Sequence, residues 1–113
     1  MFFDLIGQRW RLFGIVLPMC TFSAHKARMV VANTHTILGI EVICAAQGID
    51  LSAGGLANRA LGKGSDSAYQ RTRRDVARTY EDQYQGDSVE AARKLVKSGA
   101  LVEAVAAAVG ALH

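Results

Sequence analysis

At 113 residues, half of them apolar, the chain has room for one domain at most and enough apolar side chains to bury a core. One Pro, few aromatics and abundant Ala, Val and Leu favour helix over sheet. A net charge of +3 is too small a basic excess to point to a polyanionic partner.

Residues 1–22 form a divergent N-terminal segment. They hold most of the large aromatics, show no clean period, and contain Gly7, Gly14 and Pro18, each a helix breaker. The segment reads as a short helix, a strand or loose chain, and the pattern leaves the three open. The apolar run from Leu12 to Phe22 follows Arg9 and Arg11 like a signal peptide. It is too short for a bilayer core of about 30 Å and lacks an A-x-A cleavage site. We expect no membrane partner and a cytoplasmic location. Cys20 and Cys44 stand in apolar surroundings without a CxxC pair or a His/Cys cluster. They read as two reduced, buried thiols, with no zinc site.

From Ser23 the pattern becomes regular, with Ser23 as N-cap and Gly48 as the residue after the helix. Ala27, Val30, Val31, Thr34, Leu38, Val42 and Ala45 recur at three- and four-residue spacing, the mark of one helical face. From Ile37 to Ala46 the helix is apolar nearly all round. Such a helix must be covered on all sides, and too little chain remains to do it. A second polypeptide is the expected cover, most simply another copy in a homo-oligomer. Gly54-Gly55 and Gly62-Lys63-Gly64 mark turns, with room for a short helix over Gly55–Leu61. The next helix is expected over Ser65–Asp82, with Ala68, Thr72, Val76 and Tyr80 inward. Asp87 and Glu90 form a capping box opening a helix that Gly99 ends. Its buried stripe is Val89, Ala92, Leu95 and Val96. A final helix, Ala100–Leu112, presents Leu101, Val105, Ala108 and Leu112. The fold class is all-α: a long-helix bundle with shorter C-terminal helices, completed by oligomerisation.

Thr36-Ile37-Leu38-Gly39-Ile40-Glu41-Val42-Ile43-Cys44-Ala45-Ala46-Gln47-Gly48-Ile49-Asp50 resembles the long helix near the C-terminus of histidine and phenylalanine ammonia-lyases. His25-Lys26-Ala27-Arg28 fits the start of that helix. The downstream order fits too: a Gly/Lys-rich loop, a helix, the acidic pair Glu81-Asp82, then an Asp-initiated helix ending in Leu95-Val96-Lys97-Ser98-Gly99-Ala100-Leu101. The resemblance covers residues 23–103 and is greatest to histidine ammonia-lyase. It implies that residues 23–113 are a C-terminal helical domain of a homotetrameric enzyme that eliminates ammonia from an aromatic amino acid. It also implies an electrophile, methylidene-imidazolone, made from an internal Ala-Ser-Gly. That tripeptide is absent, and the family's base and substrate-holding residues lie upstream of the matched part. Phe13–Cys20 stands where an acidic stretch is expected, which suggests a truncated or frameshifted gene. We therefore expect no catalytic, cofactor-binding or metal residue here, and no activity from this chain alone.

Other constellations read as structural. His25 and His35 are about 80° out of phase and roughly 15 Å apart along a helix, so they do not share a metal. Glu41, within the most apolar turn, reads as half of an inter-helix or inter-subunit ion pair rather than as a general base. Arg71, Arg73, Arg74 and Arg78 could track a phosphate backbone, but interleaved acids, Asp75 above all, favour a solvated, ion-paired face. A small helical interaction protein binding nucleic acid through these arginines is the alternative function. Gly62-Lys63-Gly64-Ser65 lacks the frame of a phosphate-binding loop.

Overall fold

The computed structural model describes residues 2–52 and 60–110. Among these there are four helices and no strand: α1 (Phe2–Leu51), α2 (Lys63–Asp75), α3 (Gly86–Lys97) and α4 (Ala100–Val109). The all-α class is as expected from composition. The chain divides into two compact units, Met1–Asn33 and Thr34–His113.

The first unit is helical where the sequence reading left helix, strand or loose chain open. α1 passes through Gly7, Gly14, Pro18 and Ser23 without a break, so Ser23 is not a cap. A glycine costs a helix about 1 kcal/mol and a proline about 3. Once nucleated, a helix of 50 residues can absorb such local losses, because each added residue contributes another hydrogen bond. The ring of Pro18 also fixes φ near a helical value. Next to it, the Thr21 hydroxyl donates to the Leu17 carbonyl at 3.0 Å.

In the second unit α1 likewise continues past Gly48 to Leu51. Its last turn is closed by Ser52, whose Oγ donates to the Ile49 carbonyl at 2.8 Å. Gly39 lets α1 approach α3 closely: a Cβ at this position would stand 3.0 Å from the Arg93 backbone nitrogen and 3.2 Å from the Ala92 carbonyl carbon. α2 packs against α4, where the Ser67 hydroxyl donates to the Ala104 carbonyl at 2.7 Å. The core is small and centres on Ala46, Thr72, Val76, Ala92 and Leu95. Thr72 is tolerated there because its hydroxyl donates to the Ala68 carbonyl at 2.8 Å.

The bounds of α2, α3 and α4 also differ from the sequence reading. α2 starts at Lys63 and stops at Asp75, because Val76 turns to extended backbone (φ −123°, ψ 112°) and buries its side chain. Tyr80 consequently lies outside the helix and is exposed. α3 starts at Gly86, with Gln85 as N-cap and no side-chain cap bond. Asp87 thus sits in the first turn, still favourably placed against the helix dipole. α4 ends at Val109, where Gly110 takes a positive φ of 87°, so Leu112 lies outside the described residues. The Gly55–Leu61 helix also falls largely outside them. As expected, Gly99 ends α3, at a φ of 75° that favours glycine.

Candidate functional site

The end of α1 carries a polar latch. Gln47 and Asp50 are three residues apart and so share a helix face. The Gln47 amide holds Thr79 at both backbone groups: Nε2 donates to the Thr79 carbonyl at 2.7 Å, and Oε1 accepts from the Thr79 N–H at 3.3 Å. The Asp50 side chain is 6% exposed and accepts from the Tyr69 hydroxyl and from Arg73 Nη2, the latter at 2.5 Å. Arg78 Nε stands 4.0 Å from the same carboxylate, and Arg78 Nη2 donates to the Asp50 carbonyl at 3.4 Å. Arg73 also lies over the Tyr69 ring, 5.6 Å from its centroid. A buried carboxylate is tolerated only with such partners. The hydrogen bond to the Asp50 carboxylate, and then burial, push the Tyr69 phenol above its ordinary range. Tyr69 therefore stays protonated and keeps its hydroxyl as hydrogen-bond donor to Asp50. With Tyr69, Arg73 and Arg78 converging on it, Asp50 fastens the 69–78 segment to α1.

On the same helix the apolar surface lies open. Ile37 is 57% exposed and Ile40 43%, with Leu38 exposed as well. Leu38, Glu41, Val42 and Ala45 of α1 face Val96, Leu101 and Val102 across a cleft of about 370 Å³. Cys44 is a free, exposed thiol, as is Cys20, which corrects the expectation that both are buried. Among the described residues no element covers either thiol. Glu41 is exposed on the cleft and makes no ion pair among the described residues.

The model of the family described as aromatic amino acid lyase matches residues 16–74, over half of the chain. This chain belongs to the aromatic amino acid lyase family. Among relatives of this lyase-family chain is a histidine ammonia-lyase of Alkaliphilus oremlandii (strain OhILAs), 37% identical over 82% of this chain and 18% of its own length. A histidine ammonia-lyase of Sorangium cellulosum (strain So ce56) is 39% identical over 86% of this chain and 18% of its own. A MIO-dependent tyrosine 2,3-aminomutase of Streptomyces globisporus is 31% identical over 80% of this chain and 16% of its own. The chain thus spans less than a fifth of the length of these relatives. No solved structure matches.

In this lyase-family chain the arginine cluster is largely committed to ion pairs. Arg71 bonds Asp75 at 2.9 Å, the i,i+4 pairing read from sequence, and Arg73 and Arg78 turn to Asp50. Arg74 is exposed and makes no ion pair among the described residues. No group of three His, Cys, Asp or Glu able to hold a metal occurs among the described residues. Sequence reasoning took Gln47 and Asp50 as part of a family motif and missed their partners Tyr69, Arg73, Arg78 and Thr79. The available signal was an acid closing a strongly apolar helix, followed by a helix rich in cations.

Proposed function

We propose that this chain is the C-terminal helical, assembly-forming part of a histidine ammonia-lyase-like enzyme that eliminates ammonia from an aromatic amino acid, with the catalytic groups outside it. The observation that carries this reading is the exposed apolar surface of Ile37, Leu38 and Ile40 on the helix that the family model matches. Contiguous exposed apolar area of this kind marks an interaction surface. The latch on Thr79 and Tyr69 fastens that helix to the rest of its unit, as a helix that must hold its position against a partner requires. The relatives named histidine ammonia-lyase support that activity for the whole enzyme.

The sequence contains no Ala-Ser-Gly. The residues present therefore do not fit the family's methylidene-imidazolone, and no elimination step runs through them. A homo-oligomer through Ile37–Ala46 in the cytoplasm is the assembly we favour. Leu17–Leu51 is long and apolar enough to cross a membrane, a property it shares with core helices of soluble proteins. Glu41 on its cleft, the docking of Gly39 on α3 and the polar latch at Gln47 and Asp50 favour protein neighbours over lipid. The ion-paired arginines likewise weigh against a nucleic-acid partner. Incubation of the purified chain with L-histidine, followed by ultraviolet absorption of urocanate, is the direct test. No turnover is expected, and turnover that scales with the concentration of this chain would refute the assignment.

A further inference from the structure

Residues 77–84 cross from α2 to α3 without regular structure, and all of them but Thr79 are exposed. Tyr80 and Tyr84 are 82% and 84% exposed. The two ends of this stretch are fixed. Val76 buries its side chain, and its carbonyl accepts from Arg73 Nη1 at 3.3 Å. At the other end the Gln85 carbonyl accepts the Val89 N–H of α3 at 2.9 Å. Between these points, among the described residues, no backbone group bonds another backbone group. Few buried contacts and a backbone turned to solvent mark a segment that opens before the rest of its domain.

What holds the stretch down converges on Thr79. Gln47 of α1 takes both of its backbone groups, at 2.7 and 3.3 Å, and Gln85 Nε2 donates to its hydroxyl at 3.3 Å. Arg78 adds only a long bond to the Asp50 carbonyl, at 3.4 Å, from a side chain that is itself exposed. The Gln85 bond is also offset, because Gln85 Oε1 is buried with no hydrogen-bond partner among the described residues. An unmet buried acceptor costs about as much as a neighbouring hydrogen bond contributes, and opening returns it to water. The Asp50 carboxylate does not depend on the stretch, since Tyr69 and Arg73 hold it from α2.

We propose that residues 77–84 are a strap pinned to α1 at Thr79, which opens as a unit between Val76 and Gln85 while α2 and α3 stay folded. Open, it returns the Gln47 amide and the Asp50 carbonyl to solvent at the end of α1, and leaves the Asp50 carboxylate bound to Tyr69 and Arg73. Native-state hydrogen exchange of the full chain, read amide by amide by NMR, tests it. The Thr79 amide should exchange at least about tenfold faster than that of Leu95. Low urea should leave its rate unchanged, because a local opening exposes little new surface. Gln47→Met keeps the side-chain length but removes both bonds, and should speed Thr79 exchange about tenfold or more. Leu95→Ala should speed exchange at Ala92 and leave Thr79 as it was. A Thr79 amide that quickens with urea or with Leu95→Ala opens only when the whole domain unfolds, and one indifferent to Gln47→Met is not pinned there. Either result overturns the proposal.

Discussion

Replacing Asp50 by alanine removes the acceptor on which Tyr69, Arg73 and Arg78 converge. The Arg73 side chain is only 14% exposed, so its guanidinium would be left largely buried without a counter-charge. Breaking a buried pair in this way costs about 3–5 kcal/mol. Residual exposure of Arg73 lowers that, while loss of the Tyr69 hydrogen bond adds about 1 kcal/mol. The expected destabilisation is about 3 kcal/mol, a large part of the roughly 5–15 kcal/mol available to a small domain. It corresponds to a fall in Tm of about 12–20 °C. Thermal and urea unfolding followed by far-ultraviolet circular dichroism measures it. Asp50→Asn keeps an acceptor oxygen and should lose about half as much. Asp50→Ala/Arg73→Ala should be more stable than the two single effects predict, because the stranded cation is gone. A loss under 0.5 kcal/mol, or strict additivity in the double variant, would refute the latch.

Four further outcomes are expected. Gly39→Ala should destabilise by about 1–2 kcal/mol, since the crowding of its Cβ against the α3 backbone outweighs the gain in helix propensity. Gly48→Ala meets nothing within 4 Å and should be neutral or stabilising; urea midpoints at constant m compare the two. Leu95→Ala empties a buried site in α3 and should cost about 2–5 kcal/mol in the same assay. Tyr69 carries a pH signature: its phenol is raised, so the folded state favours the neutral form. That contribution is fully present below the ordinary tyrosine value of about 10 and is lost as pH rises through the folded value. Urea unfolding between pH 8 and 11 should show this alkaline loss in the parent and not in Tyr69→Phe.

Local patterns in the sequence carried much of the fold. The stripe through Ala92 and Leu95 is buried as its spacing requires, and Gly99 ends α3 in the left-handed conformation. Elements decided by distant contacts were not legible. α2 keeps its helical period beyond Asp75, but burial of Val76 and capture of Thr79 by Gln47 pull the chain out of helix there. α1 runs through Pro18 because the length of the helix outweighs local breakers. Gln47 and Asp50 could be seen in the motif, but their partners lie 19–32 residues further on, and no spacing rule connects them. The apolar character of the helix around Ile37 and Ile40 was legible, because apolar residues fill nearly every position there, and both side chains are exposed.

The mass of the chain in solution, by size-exclusion chromatography with light scattering, is the most direct test of association through that helix. The account predicts a defined helical oligomer, a multiple of the 12.1 kDa chain, that Ile37→Ser/Ile40→Ser dissociates. A well-folded 12.1 kDa monomer at the same concentration, unchanged by those substitutions, would contradict it.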